Sequence, residues 1–265
     1  MQLLDSIIAL FYSHYNVTFV HKFDLMSTQP FRFKKFDIAQ DQCGMKIGTD
    51  GVLLGAWAPI KNNPKHILDI GTGTGVIAIM LAQRTESANI VGVEIEEKSA
   101  TQARENMSAC VFQDRLSVHL GSIQDFAKES KKNFDLIISN PPFFTGGTFS
   151  QNQEKNNVRH TVKLPNGDLL RSAHQLLDKD GIFCVILPFI EGLRFKEMAC
   201  QYGFHVSKIT NVKGKKDKPI ERLLIAFSKQ EVDSIEEDEL VIQHEKRNDS
   251  TDEYIKLTKD FYLNL

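Results

Sequence analysis

Leu68-Asp69-Ile70-Gly71-Thr72-Gly73-Thr74-Gly75 sets three glycines at alternate positions directly after an apolar run. Residues 66–70 read as a buried strand and 76–84 as a helix, so the glycines occupy a strand-to-helix turn. Such a turn lets backbone N–H groups at a helix N-terminus approach a nucleotide-like ligand closely. Val76 stands where a dinucleotide fingerprint carries its third glycine, which turns the reading from NAD toward S-adenosylmethionine. Asp69, just before the turn, then acquires a purpose, positioning the cationic methionine end directly or through water. The plainer alternative is a tight turn around a satisfied aspartate. Gly71, Gly73, Gly75 and Asp69 are therefore candidate cofactor residues.

Working outward, β-rich runs alternate with helical ones. Residues 90–95 read as a strand, 98–109 as an amphipathic helix, and 116–120 and 134–139 as further strands. Residues 168–177 then form a helix, 182–187 a strand and 191–201 another helix, which is the pattern of repeated βαβ units around a parallel sheet. Residues 205–212 and 222–228 are joined by a Lys- and Gly-rich link with no helix between, so they predict an antiparallel hairpin. The expectation is an α/β Rossmann-like fold, with a mostly parallel seven-stranded sheet and an antiparallel last strand. Residues 31–59 predict a small hairpin and a helix over 50–58. Lys46, Thr49 and Asp50 either line an entrance or cap that helix, for which Thr49 or Asp50 is a natural N-cap.

Glu94 ends the second strand 23 positions after Gly71, where the doubly wound scheme sets an acid on ribose hydroxyls. Glu96 and Glu97 read as first-turn acids of the next helix. Ser122, after the third strand, borders the expected adenine position and can bond its amino group, whereas Asp125 reads as a surface residue.

Asn140-Pro141-Pro142-Phe143 follows the apolar strand 134–139, at the carboxyl end of the sheet where ligands of such folds bind. Two prolines lock the loop, so the Asn140 side-chain oxygen and the Pro141 carbonyl can aim at the two hydrogens of a planar amino group. Those bonds draw the nitrogen toward tetrahedral geometry and free its lone pair for attack on a sulfonium methyl, without a metal. Phe143 offers a stacking face. The bland reading is a rigid turn capped by a core phenylalanine. Adenine N6, guanine N2 and a glutamine amide all present such a group, so the chemistry is fixed better than the acceptor.

Basic residues form three clusters suited to phosphates: Arg159, His160 and Lys163; Lys208, Lys213, Lys215, Lys216 and Lys218; and Arg32, Lys34 and Lys35. Taken singly, each also reads as solvated loop residues. With a net charge of -2 over 265 residues, affinity for nucleic acid must come from such patches. The four scattered cysteines form no ligand pair, so neither a metal site nor a disulfide framework is expected and a reducing cytoplasm is the natural compartment; a monomer is expected separately. Asp5, His14 and Asn16 interrupt the apolar N-terminal run, which speaks against a membrane span or signal peptide. The expected divisions are an extension over 1–25, with Met26 as an alternative start; a cap over 26–63; the catalytic domain over 64–230; and an acidic solvated connector with a closing helix or strand over 231–265.

Phe33-Lys34-Lys35-Phe36, the run Met45-Lys46-Ile47-Gly48-Thr49-Asp50-Gly51-Val52-Leu53-Leu54-Gly55-Ala56-Trp57-Ala58, the glycine turn, the Asn-Pro-Pro-Phe loop and Phe261-Tyr262-Leu263 together resemble the bacterial tRNA1(Val) (adenine(37)-N6)-methyltransferase family. The resemblance runs from about Phe31 to the C-terminus. It implies methyl transfer from S-adenosylmethionine to N6 of the adenosine beside the anticodon of a valine tRNA. Ser122, where an aspartate is more typical, departs from that pattern. A base in an anticodon loop is exposed at less cost than one in a duplex, which suits a chain whose positive charge is modest and confined to local patches. Guanine-N2 methylation of ribosomal RNA, glutamine methylation of a release factor and a non-catalytic RNA-binding module are the competing readings.

Overall fold

The computed structural model describes residues 29–60, 63–142, 164–246 and 249–264. Short strands β1 (Phe31–Arg32) and β2 (Asp37–Ile38) pair antiparallel and lead into helix α1 (Thr49–Trp57). There follow β3 (His66–Ile70), α2 (Val76–Arg84), β4 (Asn89–Glu94), α3 (Glu97–Ala109), β5 (Leu116–Leu120) and α4 (Ile123–Glu129). The chain continues through β6 (Phe134–Ser139), α5 (Asn166–Leu176), β7 (Leu177–Pro188), α6 (Phe189–Gln201), β8 (His205–Lys215) and β9 (Ile220–Ser228). It ends with β10 (Glu236–Gln243) and α7 (Asp252–Thr258).

The main sheet has the order β10-β8-β9-β7-β6-β3-β4-β5. β9 alone runs against its neighbours, antiparallel to both β7 and β8, and every other pairing is parallel. Apolar residues sit on both faces of the central strands. On β3, Ile67 joins the core beneath α1 and α2, whereas Leu68 and Ile70 join the opposite core beneath α4, α5 and α6. Burial on both faces is what a parallel sheet clad in helices requires. Accordingly α2, pressed between the sheet and α1, is buried continuously from Val76 to Ala82.

The sheet has eight strands where seven were expected, because the acidic run read as a solvated connector is a strand. β10 pairs parallel with β8, and the lysines of β8 supply the countercharge. Lys208 pairs with Glu236 and, at 3.1 Å, with Asp238; Lys213 pairs with Glu239 at 2.7 Å. Asn211 donates to the Glu237 carboxylate at 2.9 Å. The Thr210 hydroxyl, which accepts from the Trp57 indole N–H at 2.8 Å, donates to Asp238 and so ties β10 to α1. The antiparallel strand is thus the penultimate one in sequence, inserted between β7 and β8. Beyond β10, the Thr251 hydroxyl caps α7, and Tyr262 bridges back to Phe33, closing the chain against the N-terminal cap.

The N-cap of α1 is Gly48, not Thr49 or Asp50, and no side chain caps it. Asp50 instead takes a 2.9 Å ion pair from Arg222 on β9, a partner 172 residues away that outcompetes the local capping role. Residues 1–25, Met26 and the cluster Arg159, His160 and Lys163 lie outside the described residues.

Candidate active site

The register of the central strands fixes the site. Ile70 and Ser139 are paired neighbours on parallel β3 and β6, and the buried Ser139 hydroxyl donates to the Ile70 carbonyl at 2.9 Å. Gly71 and Asn140 are the next residues of each strand, so the glycine turn and the diproline loop leave the sheet side by side at its carboxyl end. Asn140 is half-buried, Pro141 buried and Pro142 exposed. Phe143 lies outside the described residues.

The glycine turn is held from below and open above. Gly71 N–H and Thr72 N–H both donate to the Val93 carbonyl of β4, at 2.8 and 3.2 Å. Gly71, Gly73 and Gly75 have φ of 73°, 54° and 81°, the left-handed region that an L side chain rarely enters. A Cβ placed on Gly71 meets nothing within 4 Å, and one on Gly73 meets only the Gly71 carbonyl at 4.0 Å. The turn therefore borders open space. α2 begins directly after it, with no side-chain cap on Gly75 to occupy the first-turn N–H groups.

Two carboxylates flank the turn. Glu94 accepts from Gly73 N–H at 3.0 Å through Oε2, and from Ile95 and Glu96 N–H at 2.9 and 3.0 Å through Oε1. A carboxylate has about four acceptor positions, so one remains, on Oε2, for a hydroxyl. Asp69 is fully buried; its Oδ2 accepts from the Thr72 hydroxyl at 2.7 Å, while its Oδ1 has no hydrogen-bond partner. Burial pushes the Asp69 carboxyl up to about 7 from 3.8, with the Thr72 hydroxyl and the Ala78 backbone opposing the rise and the Glu94 charge adding to it. A half-satisfied buried carboxylate is costly by itself and is relieved by a cation brought near.

Ser122 is the N-cap of α4: its hydroxyl accepts from Asp125 N–H at 3.1 Å and donates to the Asp125 carboxylate at 2.7 Å. Its donor is committed locally, and one acceptor lone pair remains for an amino group. Asp125 is exposed, with Lys128 at 2.8 Å. Glu96 caps α3, accepting from Ser99 N–H at 3.2 Å.

The basic clusters fare unevenly. Lys208 and Lys213 face the acids of β10, and Lys215 donates to the Glu245 carbonyl at 2.6 Å, which leaves Lys216 and Lys218 exposed at the hairpin tip. In the cap, Arg32 lies 4.0 Å from Asp37, and Lys34 donates to the Lys259 carbonyl at 2.6 Å. Among the described residues no cluster of His, Cys, Asp and Glu has the makings of a metal site, and no helix is long and apolar enough to cross a membrane.

A methyltransferase-domain family profile matches residues 61–239. A crystal structure of a predicted O-methyltransferase from Agrobacterium tumefaciens superposes with a TM-score of 0.64 at 18% identity, over 80% of this chain and 96% of that one. The fold and the matched domain make the chain an S-adenosylmethionine-dependent methyltransferase. Among curated sequences, the tRNA1(Val) (adenine(37)-N6)-methyltransferase of Flavobacterium johnsoniae is 45% identical over 235 residues, covering 89% of this chain and 100% of the relative. That of Pectobacterium carotovorum is 44% identical, covering 88% and 93%. The chain belongs to the tRNA1(Val) (adenine(37)-N6)-methyltransferase family.

Proposed function

We propose that this chain transfers a methyl group to N6 of adenine 37 in a valine tRNA, acting as a monomer in the cytoplasm. The observation that supports the reading is the pairing of Ile70 with Ser139, which sets the glycine turn and the diproline loop at adjacent strand ends. The relatives' names supply the acceptor.

The residues present fit the cofactor. Open space above Gly71 and Gly73 admits a ligand against the backbone, and the two flanking carboxylates match a cationic molecule bearing hydroxyls. Asp69 and the turn Gly71, Gly73 and Gly75 hold the methionine end, the spare acceptor of Glu94 takes a ribose hydroxyl, and Ser122 borders the adenine. When bound, S-adenosylmethionine supplies a methyl on a cationic sulfur that departs as a neutral thioether.

The protein's own task is to present the nitrogen. Asn140 Oδ1 and the Pro141 carbonyl accept the two amino hydrogens, and the proline-locked backbone keeps both oxygens aimed. These bonds withdraw the nitrogen lone pair from the ring and direct it at the methyl carbon. Asn140 directly follows Ser139, the register partner of Ile70, and so also stands beside the turn that takes the cofactor in this reading. The surplus proton leaves to water after transfer.

The test incubates purified protein with labelled cofactor and tRNA from a strain lacking this activity, followed by nucleoside mapping. N6-methyladenosine at position 37 is expected; N2-methylguanosine or label on protein overturns the reading.

A further inference from the structure

Two buried amides on α3, Gln102 and Asn106, are absorbed by neither the cofactor contacts nor the amino grip. One turn apart, they lie on the same face of the helix. Asn106 Oδ1 accepts from Ala39 N–H at 2.9 Å, and its Nδ2 donates both to the Ala39 carbonyl and to the Thr74 carbonyl, each at 2.9 Å. Gln102 Oε1 accepts from Gln42 N–H at 2.8 Å, and its Nε2 donates to Asp41 at 3.2 Å. The strap over 39–47 closes on itself, with Gln40 Oε1 accepting from Ile47 N–H at 2.9 Å. Cys43, at the middle of the strap, meets the Ser99 side chain and feels the charge of Glu94. The same helix presses Ala103 and Met107 against Gly75, so a Cβ there falls 3.2 Å from Met107 Cε.

We infer that Asn106, seconded by Gln102, is a positioning residue that latches the 39–47 strap to the glycine turn and so sets affinity for the cofactor. The inference rests on the reading that this turn holds S-adenosylmethionine. Thr74 belongs to the turn and Ala39 to the strap, and one amide bonds to both. Neither segment moves without breaking an Asn106 bond. Apolar side chains would fill the α3 interface without leaving polar groups to satisfy. Three bonds to one buried amide instead fix a single alignment of two loops that have no strand pairing between them. Cys43 of the strap feels the Glu94 charge, so the alignment of the strap bears on the side of the turn where the ribose contact is proposed.

Asn106→Leu removes all three bonds, and Gln102→Ala loosens the strap without touching Thr74. Calorimetric titration with S-adenosylmethionine is run on the full chain, alongside hydrogen exchange at the Ala39 and Gln42 amides and a thermal melt. We expect Asn106→Leu to weaken cofactor binding about tenfold, the equivalent of one or two lost hydrogen bonds. Gln102→Ala weakens it by less and in the same direction. Exchange quickens at Ala39 in the first variant and at Gln42 in the second. In turnover, KM for the cofactor rises while kcat and KM for tRNA hold. Should Asn106→Leu fail to fold, Gln102→Ala decides alone. Quickened exchange with unchanged cofactor affinity, or unchanged exchange, overturns the inference. Wild-type protein that binds no S-adenosylmethionine overturns the underlying reading instead.

Discussion

Replacing Asp69 by asparagine tests the electrostatics of the glycine turn without changing its shape. In the folded chain Asp69 is buried, with one oxygen unpartnered, and its carboxyl sits at about 7 against an unfolded value of 3.8. Between those values the unfolded chain is ionised at this position and the folded chain is protonated, so the folded state binds one more proton. Stability from this group is full below the unfolded value and falls as pH rises, by about 1.4 kcal/mol per unit, until it levels above the folded value. The whole span amounts to roughly 4 kcal/mol, and the interval from pH 5 to 7, where levelling has begun, to about 2 kcal/mol. The asparagine that replaces it does not titrate. The difference in unfolding free energy between variant and wild type, from urea denaturation at half-unit pH steps without cofactor, therefore grows in favour of the variant across that interval and then flattens. Subtracting one protein from the other cancels the surface carboxylates, whose pairs push the opposite way. Saturating S-adenosylmethionine, whose charge favours the ionised aspartate, shrinks the slope in the wild type only. A difference that stays flat or falls between pH 5 and 7 refutes the reasoning.

Three further outcomes follow from geometry already described. Asn140→Ala lowers kcat by about a hundred- to a thousandfold, as loss of a preorganised polar contact to the reacting group does, while calorimetry finds cofactor affinity nearly unchanged. Gly73→Val places a β-branched residue at a φ of 54° and thrusts its side chain into the open space above the turn, so cofactor binding is lost while far-ultraviolet circular dichroism is retained. Thr210→Val strips the Trp57 N–H of its acceptor in a buried spot and costs about 1–3 kcal/mol in chemical denaturation, with methylation unaffected.

Where the elements are long and their partners local, the sequence is readable almost to the residue. β3, α2, β5 and β6 have the expected bounds: β3, β6 and most of α2 are apolar runs buried on both faces, whereas β5 is a half-buried edge strand marked by alternating Leu116, Val118 and Leu120. α4 escapes notice because it is short, with only Ile123 and Ala127 fully buried. Its signal is Ser122 followed by Asp125, a start motif easily taken for ligand chemistry alone. β10 escapes for another reason. Four acids in succession look solvated until Lys208 and Lys213 are brought beside them, and those lysines lie more than two dozen residues upstream. Asp50 is similar: its residue type favours an N-cap, but the fold delivers Arg222. Of the site, the glycine turn and the diproline loop are legible because backbone geometry dictates both. The Asn106 and Gln102 contacts are not, because an amide on a helix carries no mark of what it will meet.

β10 also closes one rim of the sheet, and its exposed acids change what can happen there. A second copy approaching rim to rim brings Glu236, Glu237, Asp238 and Glu239 against their own counterparts, and the repulsion discourages sheet extension into fibres.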